Sequence, residues 1–287
     1  MKTVYILFAI LVICLSSPAS QLKSQVVYSS ADSLICVDYV ESFSQYKAEP
    51  INELVVQTAK YFLGKPYVGA TLDKSETEHL TVNLQEFDCI TLVENCIVLS
   101  GMIKSGDMSF DNYCKMLRQS RYRNGEVEDY TSRLHYTSDW MYENEKRGIF
   151  KNISKELNGR LETKPINFMS THVSSYKQLS KNESLQKKIK KVENQLNKRG
   201  GYYVINKQSI RSIEDKIQDG DIIVISTSVA GLDFSHVGIA YRNEKHLTFI
   251  HASSAKEKVV VEPRSLAEYC KNSSRCNGIA VLRLQNK

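Results

Sequence analysis

Residues 87–99 read Phe87-Asp88-Cys89-Ile90-Thr91-Leu92-Val93-Glu94-Asn95-Cys96-Ile97-Val98-Leu99, a run that is apolar on most faces and stops near Gly101 or Gly106. A helix apolar nearly all round belongs inside a protein, so the run predicts a central buried helix that opens on Asp88-Cys89. Upstream, Ile51, Leu54, Val55, Thr58, Ala59 and Phe62 recur at helical spacing between Pro50 and Gly64-Lys65-Pro66, which predicts a helix over 51–63. Further helices are expected over 109–120, 137–147 and 184–198, the last a Lys-rich amphipathic piece with Leu185, Ile189, Val192 and Leu196 on one face. Beyond Gly200 the texture turns to short strands over 202–205, 222–226, 236–241, 247–251 and 258–261, separated by Asp219-Gly220, Gly231-Leu232-Asp233 and Asn243-Glu244. Helices first and an antiparallel meander last predict an α+β domain with segregated layers. Residues 20–45 carry the weakest pattern.

The whole chain has 287 residues, 38 Lys+Arg against 32 Asp+Glu, and only 13 Gly and 5 Pro. That balance excludes collagen, low-complexity linkers and a disordered majority, and it allows a substantial core. The net charge of +6 is not gathered into the Lys/Arg stripe of a nucleic-acid binder, so no nucleic-acid partner is expected. At the start, Lys2, the apolar run Val4 to Leu15 and the small residues Ser17-Pro18-Ala19 read as a signal peptide over 1–19. The run is too short to span a bilayer. The expectation is an exported, periplasmic, monomeric domain over 20–287 without stable membrane insertion. Secretion is an alternative; so is a lipid anchor at Cys14, although Ile13 precedes it where small residues are wanted. Removing the leader leaves six cysteines, and export permits disulfides. Cys270 and Cys276, which bracket a short polar loop, are the pair best placed to form one.

Three fragments carry chemistry together: Phe87-Asp88-Cys89 at a helix start, Ser235-His236-Val237-Gly238-Ile239 on a strand, and Phe249-Ile250-His251-Ala252 on the next. A cysteine in a first helical turn sits at the positive end of the macrodipole, which favours the thiolate. A histidine beside it can take and return a proton, and a second polar group can hold that imidazole in one tautomer. Helix-start amides offer part of an oxyanion hole, worth about 3–4 kcal/mol per donor elsewhere. Each fragment alone also has a bland reading: a buried helix cysteine as a small hydrophobe, a strand histidine as a hydrogen-bonded core residue. His236, His251 and Cys89 suit this arrangement better than a zinc site, so no metal or other cofactor is expected.

In order and local sequence, Gly64-Lys65-Pro66-Tyr67, Asp88-Cys89, Gly220-Asp221-Ile222-Ile223, Ser235-His236-Val237-Gly238-Ile239 and Ile250-His251-Ala252 resemble the NlpC-type papain-like cell-wall hydrolases. The resemblance implies a papain-like fold with N-terminal helices, a Cys-bearing central helix and a C-terminal antiparallel sheet, with Cys89 as nucleophile, His236 as base and His251 as the third member. Two departures stand out: Ile90-Thr91 replaces the usual Ser-Gly after the cysteine, and about 130 residues separate the Cys helix from the His strand. That large helical insertion, with Arg121-Tyr122-Arg123, Arg133-Leu134-His135-Tyr136, Trp140 and Asn167 to His172, is similar to a narrower branch, the N-acetylmuramoyl-L-alanine amidase-like proteins. The branch implies cleavage between the lactyl group of muramic acid and L-alanine in peptidoglycan fragments.

The stem peptide on the leaving side is rich in carboxylates, which suits bidentate guanidinium donors. Arg121, Arg123 and Arg133, interleaved with Tyr122, Tyr130, Tyr136 and Trp140, are therefore expected to bind it, with Tyr67, Asp88, His135 and His172 as further cleft residues. The alternative bond is the γ-D-glutamyl-diamino-acid link, for which an endopeptidase needs an acid against a free amine, a role Asp88 suits. A non-catalytic muropeptide-binding module is the third reading. The same aromatics also fit a plain core, and the same arginines a solvated surface.

Overall fold

The computed structural model describes residues 26–286; the signal-peptide reading lies outside them. Helices α1 (Ser30–Phe43), α2 (Ile51–Tyr61), α3 (Cys89–Ser105), α4 (Phe110–Arg121) and α5 (Thr137–Lys146) come first, then two single-turn pieces, α6 (Phe168–Thr171) and α7 (Lys177–Ser180), and α8 (Glu183–Lys198). Strands β1 (Val26–Val27) and β2 (Leu80–Thr81) form a small parallel pair. The main sheet holds β3 (Phe150–Asn152), β4 (Arg160–Glu162), β5 (Tyr202–Asn206), β6 (Ile222–Thr227), β7 (Phe234–Arg242), β8 (Leu247–Ser253), β9 (Lys258–Val261) and β10 (Cys276–Leu284). Its order is β4-β5-β10-β6-β7-β8-β9, with β3 also on β10. Helix α9 (Leu266–Asn272) lies between β9 and β10 in the chain.

Local chemistry explains the elements that frame the site. In α3, Asp88 and Thr91 form a reciprocal capping box, and the last turn is closed by Gly106 in the left-handed region. Leu92, Val93, Val98, Leu99 and Ile103 are fully enclosed, each contributing roughly 1.5–3 kcal/mol by burial. Helix α2 buries Ile51, Leu54, Val55, Thr58 and Ala59 against α3, where the Thr58 and Ser100 hydroxyls meet at 2.9 Å. It ends at Tyr61, two residues earlier than the spacing predicts, because Phe62 already leaves helical geometry ahead of Gly64 at φ +83.

The sheet has one core on each face. Val237, Ile239, Ile250 and Ala252 pack toward the helical layer of α1 to α5. Phe249, Ile223 and Ile279 pack toward α9 and the 3-10 segment Lys207–Lys216. At Gly220, φ is +84 and an added Cβ would stand 2.2 Å from the Asn52 carbonyl oxygen, so the turn into β6 requires glycine. Of the five strands expected as a meander, β6 to β9 form one; β5 is held off from β6 by β10, which is absent from the sequence reading and inserts between them.

All six described cysteines are free thiols. Cys270 of α9 and Cys276 of β10 are buried with their sulfurs in hydrogen-bonding contact, so the expected pair is adjacent yet unbridged. Among the described residues no helix is long and apolar enough to cross a membrane.

Candidate active site

Cys89 is the first residue of α3. The Thr91 N–H donates to Asp88 Oδ1 at 2.9 Å and the Leu92 N–H to the Asp88 carbonyl at 3.1 Å. The Cys89 and Ile90 amides face the thiol instead, joined there by the Val237 N–H of β7. These donors favour the thiolate, but burial and the Asp88 carboxylate outweigh them and push the thiol up to about 12. The helix-start donors expected for the thiol are present, and burial acts against them.

β7 and β8 pair with Ile239 opposite Ile250. Continuing that register sets His251 opposite Gly238, two residues from His236 and on the same face of the sheet. A Cβ at Gly238 would lie 2.6 Å from the Phe249 ring, 2.8 Å from the Ile250 oxygen and 3.1 Å from His251 Cβ. Glycine there lets β8 close in until His236 Nε2 and His251 Nδ1 are 2.6 Å apart. Burial is the main cause that holds both imidazoles down, His236 at about 3 and His251 at about 4, with His251 adding to it at His236 and Arg264 at His251.

Behind His251 stands a carboxylate that sequence reasoning missed. Glu262 Oε2 is 3.6 Å from His251 Nε2, both side chains are buried, and Arg264 Nε donates to the other oxygen at 2.5 Å. The Glu262 N–H donates to the Phe249 carbonyl, extending the β8–β9 ladder by one residue and setting the side chain on the histidine face. The only sequence signal is that parity: Glu262 follows Val260 by two.

A cleft of about 280 Å³ joins Cys89 and His236 with Asp73, Asp88, Glu94, Arg121, Arg133, His135 and Trp140. The arginines in it face protein carboxylates. Arg121 is buried against Glu94 at 2.8 Å, and its other arm donates to the Thr81 carbonyl at 2.6 Å. Arg133 pairs with Asp73 and, at 3.3 Å, with Glu78, and lies over the Tyr130 ring. His135 is neutral, held down at about 3 chiefly by burial and by Arg133; its Nε2–H donates to the Tyr130 carbonyl at 2.6 Å. Trp140 is buried against Phe150, its indole N–H without a partner among the described residues.

Four expected substrate residues stand apart from the cleft lining. Arg123 pairs with Asp139 of α5, which also holds Arg199. The buried Tyr136 hydroxyl donates to Glu193 of α8 at 2.8 Å. His172 is exposed, stacked on Phe168 with its Nδ1–H donating to the Phe168 carbonyl at 2.9 Å. Tyr67 lies beside Cys89 and Asp88, and burial, followed by the nearby acidic groups, raises its phenol pKa. A larger apolar cavity of about 640 Å³ opens at the C-terminal half of α3, with no Cys, His, Asp or Glu in its lining.

The α+β fold is shared with solved proteins named N-acetylmuramoyl-L-alanine amidases. The chain belongs to the AmiA-like family, described as N-acetylmuramoyl-L-alanine amidase-like, whose model matches residues 57–279. A solved N-acetylmuramoyl-L-alanine amidase from Bacteroides uniformis ATCC 8492 is 34% identical; the match covers 82% of this chain and 99% of that one, with a TM-score of 0.76. A Bacteroides fragilis protein provisionally named a xylanase is 31% identical over 79% of this chain and all of its own, with a TM-score of 0.73. A protein from Legionella pneumophila str. Philadelphia 1 shares the fold at 22% identity, 89% and 97% coverage and a TM-score of 0.66. No curated protein matches.

Proposed function

We propose that this protein is an exported, monomeric, papain-like hydrolase of the NlpC type that cuts the amide between the muramic acid lactyl group and L-alanine in peptidoglycan fragments. The observation that carries the reading is Cys89 at a helix start sharing one cleft with His236, which is itself bonded to His251, in a chain of the amidase-like family. With thiol and imidazole both neutral at rest, the step consistent with the site is concerted. His236 accepts the thiol proton as Sγ adds to the lactyl carbonyl carbon. The negative oxygen turns to the Cys89 and Ile90 amides. The intermediate collapses, the C–N bond breaks, and the His236 imidazolium gives its proton to the departing alanine amine. Water, deprotonated by His236, then hydrolyses the thioester to a free lactyl carboxylate and restores the thiol. No cofactor enters the sequence.

A glycosidase, the activity in the name of the Bacteroides fragilis relative, needs two opposed working carboxylates. Here Glu94 is locked to Arg121 and Asp73 to Arg133, which leaves Asp88 without an opposed working carboxylate. The second reading is the endopeptidase: with the cleft arginines internally paired, Asp88 beside the nucleophile favours an amine-bearing stem. Mass spectrometry of products from defined muropeptides separates the two. The amidase reading expects a free lactyl acid and a stem beginning at L-alanine, and Cys89→Ala should abolish both. Cleavage within the stem, or an undiminished Cys89→Ala rate, refutes it.

A further inference from the structure

We infer that Glu262 is a positioning residue that sets the tautomer of both histidines and thereby decides which nitrogen is offered to Cys89. The inference rests on the Cys89–His236 reading above and extends it by one residue.

Three observations converge. His251 Nε2 is buried and has no hydrogen-bond partner among the described residues. The atom facing it, at 3.6 Å, is Glu262 Oε2. The other Glu262 oxygen is taken by the Arg264 Nε at 2.5 Å and the Arg264 N–H at 3.3 Å, which fixes the carboxylate's orientation. The groups around His251 are thus His236 from β7, Glu262 and Arg264 from the segment after β9, and Tyr269 from α9, whose ring stands edge-on at 5.9 Å. A carboxylate only accepts, so His251 carries its proton on Nε2 and points a bare Nδ1 at His236. That Nδ1 accepts the His236 Nε2–H across the 2.6 Å contact. The lone pair of His236 is then on Nδ1, the ring nitrogen left for the thiol. Each proton position follows from the one behind it, and the chain begins at Glu262.

Glu262→Gln tests this with an isostere. Arg264 demands an acceptor, so the amide oxygen takes the Arg264 side and the NH2 faces His251 Nε2. That reverses every tautomer and puts a proton on His236 Nδ1. The expected result is a loss of about 10- to 100-fold, the scale known for outer partners of metal-bound histidines, in alkylation of Cys89 by iodoacetamide. Glu262→Gln combined with Arg264→Ala frees the amide to rotate and should regain a several-fold part of that loss; the weaker backbone donor keeps the recovery partial. The ¹⁵N spectrum of the wild-type imidazoles is the second readout, with both rings expected protonated on Nε2. Nδ1-protonated rings in the wild type overturn the proposal whether or not any variant folds. So does a Glu262→Gln protein that alkylates like the wild type, or a double variant as slow as the single one. Neither readout uses peptidoglycan, so a protein that passes both and leaves the lactyl amide intact refutes the amidase reading alone.

Discussion

Replacing Arg121 with methionine separates two roles for the cleft arginines, and the size of the effect follows from their burial. Arg121 and Glu94 side chains are 3% and 4% exposed, and the arginine supplies both the counter-charge to Glu94 and a donor to the Thr81 carbonyl. Arg121→Met keeps the length of the side chain and strands the carboxylate inside α3. Breaking a buried pair from one side costs about 3–5 kcal/mol, and a stranded carbonyl about 1–3 kcal/mol more. Glu94 recovers part of this by taking up a proton, since burial already pushes its pKa upward. A net loss of about 3–5 kcal/mol remains, or a fall in Tm of about 6–20 °C for a domain of this size. Adding Glu94→Leu should restore most of it, because an apolar pair replaces a buried ion pair without loss. Urea and thermal unfolding of both single variants and the double variant measure the cycle. If Arg121→Met unfolds within about 1 kcal/mol of wild type and raises only KM for muropeptides, the structural argument is wrong and Arg121 belongs to the substrate.

Because burial holds His236, His251 and His135 neutral at about 3, 4 and 3, the unfolded chain binds more protons below about pH 6.5, where free imidazoles titrate. Stability is then full above that pH and falls as pH drops toward 4, by at most about 1.4 kcal/mol per unit for each imidazole and less for the half-buried His236 and His135. Urea midpoints across that range check it: His251→Gln should flatten the curve, and a flat wild-type curve contradicts it. Asp88→Asn keeps an equivalent helix cap while removing the charge that helps raise the Cys89 pKa. The pH midpoint of Cys89 alkylation should move down, and an unmoved midpoint shows that burial alone sets it. Gly238→Ala forces β8 off the added methyl; a destabilisation of about 1–3 kcal/mol with near-complete loss of activity is expected, and wild-type turnover would show that the 2.6 Å histidine contact is dispensable.

Elements with strong local period were legible in the sequence. Helices α2, α3, α4, α5 and α8 and strands β5 to β9 lie where spacing and turn residues put them. Helix α1 was not, because its polarity is inverted: Asp32 is buried as a capping partner while Leu34 and Val37 are exposed. Strand β10 is a continuous apolar run, which period alone does not assign. The Cys89 and His236 placements rest on neighbours in sequence, a helix start and a strand, and the structure sets both in one cleft. The pairing of the arginines was not legible for the opposite reason. Their partners Glu94, Asp73, Glu78 and Asp139 come from other segments, and only tertiary pairing reveals that those charges are already matched. Glu262 was invisible in the same way: its register against β8, not its sequence, brings it to His251.

The position of β10 has a consequence for when the protein can work. Residues 276–284 follow every other described element in the chain, yet they bond to β3, β5 and β6 in the middle of the sheet. Until they emerge from the ribosome, β5 and β6 present open edges that invite pairing with other chains, and the sheet that carries both histidines has no central strand. A message truncated before codon 276 therefore yields no reduced-activity form. Among the described elements, the last in the chain is the one that closes the sheet carrying both histidines.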